Sequence, residues 1–426
     1  MKGSKDTNMK KGLTKRAAEV LLLAMFAPAL LRAQTYEVKT LNGLGGAAGA
    51  NSLNNRGQVL GQANNETNTI SHAALWTAGS PTPFDLGSLG GPNTNSATAW
   101  PVKNNRGLIV GISDTNEDNP LGEAFSCWPF FAPGVPTGKI CKGFRWQAGL
   151  MTPLPPFPGG YNSYATGANN RGQVVGWAEN GIRDSSCNTA FQILQFRAVI
   201  WEPNGEMREL LPLPGDSTSA ATAINDKGQV VGISGACGIA VGGVSAAHAV
   251  IWENGVPTRI PDFGGHTWNT PTAINNDGVV VGFLLPAAAD GTTLFRAFVW
   301  TKEGGTKMLD QIPGDVRSSA LGINNDGTIV GVSRTAGALR RAVIWQNADA
   351  EVQNLNDISV TGSPYLLIAG DVNAGGEISG YTGDGFAFLA TPDGSATAGK
   401  SKASPPAHQD LPANVRRFLM RWGIRD

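Results

Sequence analysis

Short apolar runs along this chain alternate with clusters of Gly, Asn and Pro, and one such unit recurs seven times. Its core is a pair of Asn-type residues, a Gly, three mostly apolar residues and a second Gly. It reads NNRGQVLG from Asn54, NNRGLIVG from Asn104, NNRGQVVG from Asn169 and NDKGQVVG from Asn225, then NNDGVVVG from Asn275, NNDGTIVG from Asn324 and NAGGEISG from Asn373. Each is followed by an alternating segment that usually ends in Trp: HAALW at Trp76, KGFRW at Trp146, RAVIW at Trp201, HAVIW at Trp252, RAFVW at Trp300 and RAVIW at Trp345. The seventh, FAFLA, ends at Ala390. A Leu/Gly motif such as LGSLGG from Leu86 or LPLPGD from Leu211 completes most units.

Val/Ile/Phe/Trp-rich pieces bounded by Gly, Asn and Pro are strands separated by turns. In RAVIW the alternation puts Arg197, Val199 and Trp201 on one face and Ala198 with Ile200 on the other. Both faces are apolar in character, which suits a sheet packed between two similar sheets. Four strands per unit, seven times, predict an all-β fold: a seven-bladed β-propeller of four-stranded antiparallel blades. The Asn-x-x-Gly between the first two strands predicts a tight turn with Gly at positive φ. The seventh unit lacks a fourth strand, whereas YEVKTL from Tyr36 matches one. The N-terminal strand, residues 36–41, is therefore expected outside residues 386–390, closing the ring and covering an aggregation-prone edge.

The ends differ in pattern. Lys2, Lys5, Lys10, Lys11, Lys15 and Arg16 precede an uncharged apolar stretch, residues 20–31, with Ala29 and Ala33 as small residues for cleavage. This reads as a signal peptide over residues 1–33, too short to span a bilayer. The expected location is exported: extracellular, cell-surface or periplasmic. The propeller is assigned to residues 34–392, an Ala/Ser/Pro/Lys linker to 393–410 and a short basic amphipathic helix to 411–423. Leu411, Val415, Phe418, Leu419 and Trp422 fall on one side of that helix, with Arg416, Arg417 and Arg421 mostly opposite. Its expected contact is an anionic surface or a partner.

Composition narrows the function classes. With 41% apolar and only 15% charged residues the chain is not disordered. Thirty-three basic residues balance thirty-three acidic ones, so nothing suggests nucleic acid as a partner. Gly contributes 56 of 426 residues, nearly double ordinary usage, as turn-rich β repeats require.

The recurring LGG…S.A..IN..G.VVG followed by [HR]AFLW resembles the HAF-type extracellular repeat proteins of bacteria, over roughly residues 36–392. KGFRW in the second unit and the seventh unit depart from that pattern. The resemblance implies secretion and a propeller-like repeat fold, and it supplies no catalytic residues.

No HExxH, GxSxG, Walker or Rossmann motif occurs. His72 and His248 occupy the position that Arg holds in RAVIW, so a structural role is expected for both. The turns around Asp277 and Asp326 lack the alternating carboxylates and distal Glu of a calcium loop. No metal and no cofactor are expected. Cys127, Cys141, Cys187 and Cys237 all fall in the loops between second and third strands of units 2 to 4. Two disulfides are expected, Cys127 with Cys141 and Cys187 with Cys237, the second joining adjacent blades. The same loops hold CWPFFAPG, which makes Trp128, Phe130 and Phe131 the candidate ligand-binding residues. The alternative for these aromatics is local core. The functional expectation is a binding scaffold for an extracellular protein or glycan. Its rivals are a secreted hydrolase with an active site at the central mouth and a purely structural surface protein.

Overall fold

The computed structural model describes residues 34–393, apart from 78, 124–130, 132–136, 238–247, 264–268 and 286–293. The expected signal peptide and tail helix lie outside the described residues, as does the linker except for its first expected residue, Asp393, which instead ends the last strand of the ring. No helix among the described residues is long and apolar enough to cross a membrane.

Among the described residues twenty-eight strands, numbered β1–β28 in chain order, form seven sheets of four. Blade 4 is typical: β14 (Thr218–Ile224), β15 (Val230–Gly235), β16 (His248–Glu253) and β17 (Val256–Arg259) pair in that order, all antiparallel. Blade 7 is built from β26 (Leu366–Val372), β27 (Ile378–Thr382) and β28 (Ala387–Asp393), with β1 (Thr35–Leu41) as its outer strand. The register runs from Thr35↔Asp393 to Leu41↔Ala387. The ring therefore closes by the expected strand exchange, with the pairing reaching three residues past Ala390. Tyr36 and Leu41 are buried by it.

The motif's two glycines have different reasons. Gly57, Gly107, Gly172, Gly228, Gly278, Gly327 and Gly376 all lie at φ between +69° and +87°, the conformation that L side chains avoid. The second glycines sit where the first strand's backbone passes too close for any side chain. A Cβ on Gly232 would stand 2.1 Å from Ala220 O, and one on Gly176 would stand 1.8 Å from Tyr164 O.

The Trp residues stitch neighbouring blades. Trp76, Trp201, Trp252 and Trp345 are buried, and each donates its indole N–H to a carbonyl at the end of the preceding blade: Asn42, Pro155, Leu211 and Asp310. A buried indole needs such a partner, so the Trp fixes both packing and blade spacing.

Candidate functional site

Two regions of the ring concentrate polar and aromatic side chains: the axis at the Asn/Gly-turn face, and the loops on the opposite face.

At the turn face, each first Asn of the motif accepts backbone N–H groups of its own turn. Asn225 Oδ1 takes Lys227 N at 3.1 Å and Gln229 N at 3.0 Å. The same side chain donates from Nδ2 to the matching backbone carbonyl of the next blade. Asn54, Asn104, Asn169, Asn225, Asn275, Asn324 and Asn373 form a closed circle of seven such bonds at 2.7–3.3 Å. The second residue of each pair builds a parallel circle. The N–H of Asn55, Asn105, Asn170, Asp226, Asn276 and Ala374 each reaches a side-chain oxygen of the next blade at 2.7–3.0 Å. The step from Asn325 lacks such an acceptor because residue 374 is alanine. Asn was expected here for turn geometry; its bonding between blades is visible only in the closed ring.

Within this circle the axis holds a cavity of about 60 Å³, lined by these Asn residues, Asp226 and Lys103. That is room for a few waters, far below the roughly 300 Å³ at which small-molecule sites begin. Beneath it, the Lys103 ammonium of blade 2 pairs with the Asp371 carboxylate of blade 7 and donates to Val372 O at 2.9 Å. Asp371 is wholly buried and also accepts the N–H of Leu53 at 3.0 Å. Burial pushes its carboxyl above the ordinary range, against the pull of Lys103. Gly322 leaves the space: a Cβ there would meet Asp371 at 2.8 Å.

Sequence reasoning missed both residues, although the signal was present. The position before the first Asn is Leu53, Ala168, Ile224, Ile274, Ile323 or Val372, except for Lys103. The position before that is small or apolar except for Asp371. Blade 2 also carries three extra residues between its inner strand, Ser96–Ala97, and its Asn turn. Thr98 stands six residues before Asn104, whereas Thr222, which makes the equivalent bond, stands three before Asn225. The extra length brings in Trp100, which meets Tyr164 and Trp177 edge-on, while those two stack at 4.0 Å.

On the opposite face the loops of blades 2, 3 and 4 are tied to one another. Cys187 of blade 3 is bonded to Cys237 of blade 4, with Cα atoms 4.6 Å apart, as expected. Cys237 N also donates to Ser186 Oγ at 2.9 Å. Glu123, in the blade 2 loop, accepts Ile193 N at 2.8 Å and Leu194 N at 2.7 Å from blade 3. Burial and the nearby charge of Glu179 push Glu123 up to about 7. Asp114, at the root of the blade 2 loop, is pushed by burial to about 6 despite hydrogen bonds from Asn95 and Thr137.

The expected ligand-binding aromatics divide. Phe131 is buried at 1% exposure in the cluster of Trp100, Tyr164, Trp177 and Phe196, so it takes the packing role that sequence left as the alternative. Trp128 and Phe130 lie outside the described residues. Cys141 is buried in the same cluster and is disulfide-bonded; its expected partner Cys127 lies outside the described residues.

His72 and His248 are each paired with a carboxylate. His72 Nδ1 lies 2.9 Å from Asp85 and Nε2 lies 3.1 Å from Thr94 O. Burial works against its protonation, but the hydrogen bond and charge of Asp85 prevail and hold the imidazole above its usual range. His248 pairs with Asp216 at 2.9 Å. Among the described residues no group of His, Cys, Asp and Glu could hold a metal ion.

No family model matches the chain, and no curated protein matches it in sequence. Solved structures do match in fold. The β-propeller domain of the Trilobed protease from Pyrococcus furiosus, described as having an open velcro topology, is 13% identical, with 72% of this chain and 80% of that one covered and a TM-score of 0.42. Virginiamycin B lyase from Staphylococcus aureus is 11% identical over 84% of this chain and 99% of its own, with a TM-score of 0.46. Puromycin hydrolase is 11% identical over 75% of this chain and 45% of its own, with a TM-score of 0.44. The seven blades of this chain rest on its own strand pairing.

Proposed function

We propose that this protein is an exported binding scaffold of the HAF-type repeat kind, which engages an extracellular protein or glycan through the joined loops of blades 2 to 4. The observation that carries this reading is the bonding between those loops. A disulfide and the Glu123 bonds join three loops of different blades into one surface that needs little further ordering on binding. The disulfide also favours an oxidising compartment. Both ends of the ring leave from the other face: Gln34 and Pro392 lie beside Gly376 in the blade 7 turn. A tether at either end would leave the joined loops free. The central cavity at the turn face is too small for a hydrolase substrate.

The test replaces residues 119–138 with the short Thr335–Leu339 turn of blade 6. Glycan arrays and crosslinking to surface proteins then compare the variant with the wild type. Saturable binding by the wild type that the folded variant loses supports the scaffold. Binding that survives the exchange, or turnover of glycan or ester substrates, overturns it.

A further inference from the structure

We infer that Glu123 is held as a neutral acid paired with the Gln192 amide, so that the bond between the loops of blades 2 and 3 is a proton-sensitive clamp. Gln192 Nε2 lies against three acceptors: Glu179 Oε1 and Leu194 O at 2.8 Å, and Glu123 Oε1 at 3.3 Å. A flipped amide would set its oxygen against three oxygens, so the orientation is fixed. Gln192 Oε1 is therefore an acceptor. It is buried without a hydrogen-bond partner, and so is Glu123 Oε2.

Two groups already joined through one pair of atoms thus leave two acceptors unpaired, each a polar atom stripped of water with nothing in return. A proton on Glu123 Oε2 answers both, because its O–H donates to Gln192 Oε1 and completes a two-bond acid–amide pair. The Asn119 side chain lies close enough to act on the Glu123 carboxyl, but an amide N–H there serves only the carboxyl oxygen and leaves the Gln192 oxygen unanswered.

The surrounding charges agree. Glu179, on β11 (Val174–Arg183), accepts hydrogen bonds from Tyr161 N, Asn162 N, Asn162 Nδ2 and Gln192 Nε2. Lys142, on β8 (Lys139–Gln147), is close enough to Glu179 to feel its charge, but it is turned to Tyr161 O. Two carboxyls sharing one amide nitrogen cannot both ionise cheaply. Glu179 already has four donors for its two oxygens, so a proton on Glu123 is the one that adds a new bond here.

The sign follows from linkage. A carboxyl raised from 4.5 to about 7 in the closed clamp binds more protons there than when released. The clamp is firmest below pH 4.5 and weakens as pH rises through 7. Its regulatory meaning rests on the binding surface proposed above, whereas the clamp itself can be read without a ligand.

The experiment is residue-resolved hydrogen exchange on the whole protein between pH 5 and 8, corrected for intrinsic rates. Protection of the Ile193 and Leu194 amides should fall by about a hundredfold in the wild type. In Glu123→Gln, whose amide can donate where the acid O–H did, protection should stay high and flat. Constant wild-type protection, or an unchanged pH dependence in the variant, overturns the clamp. Should the variant not fold, the carboxyl carbon of Glu123 in labelled wild-type protein decides. A midpoint near 7 supports the clamp, and one below 5 overturns it. Failure of the loop-exchange binding test would leave these exchange results standing.

Discussion

Lys103 of blade 2 reaches past blade 1 to the buried carboxylate of Asp371 in blade 7, so one ion pair spans three blades at the axis. Breaking a buried pair by removing one partner costs about 3–5 kcal/mol, because the remaining charge is left uncompensated. Lys103→Met should therefore lose about 3 kcal/mol in urea unfolding at pH 7. The loss should shrink as pH falls and the already raised Asp371 carboxyl takes up a proton. Adding Asp371→Asn should recover part of the loss. Equal stability of wild type and Lys103→Met at pH 7 would remove the pair from any account of ring closure.

The outer circle of Asn bonds has one missing link, at Ala374. Ala374→Asn would place a side-chain oxygen where Asn105, Asn170 and Asn276 place theirs. The site is exposed, so the expected gain is small, about 0.5–1 kcal/mol. In contrast, Asn225→Ala removes three bonds within its turn and one between blades and should cost about 2–3 kcal/mol. Chemical denaturation of the two variants side by side checks the order.

The outer strand of blade 7 is the chain's own beginning. Removing residues 34–42 uncovers the edge of β28 and takes away the buried Tyr36 and Leu41. Each of these contributes roughly 1.5–3 kcal/mol by burial alone. Melting should drop for the whole ring as one transition. A truncated protein that melts like the full one would mean that the strand exchange adds nothing to closure.

Replacing both Cys187 and Cys237 with Ser should cost about 2–4 kcal/mol through the freed unfolded chain. Exchange should quicken in the blade 3 loop around Ser186 and Cys187, whereas the Asn turns should keep their protection. Hydrogen exchange after reduction tests this. Equal loosening on both faces would mean that the loops are not a separate unit.

Repetition made the fold legible. Strand, turn and blade count follow from alternation and Gly/Asn spacing, which depend on neighbours along the chain and survive in every unit. The N-terminal strand could be assigned because blade 7 visibly lacked its fourth member. The disulfide between blades 3 and 4 followed from knowing that adjacent blades share a face. What escaped were features set by contacts between residues far apart in sequence. The Asn pairs looked like turn formers, since their bonds to the next blade exist only when the ring is closed. Lys103 and Asp371 drew no attention in the sequence, because they stand 268 positions apart and meet only across the closed ring. Phe131 looked like a binding aromatic because sequence records its type and not its burial. Local preference therefore determined the strands and their number, while side-chain partners, burial and protonation were decided by what the closed ring placed beside each residue.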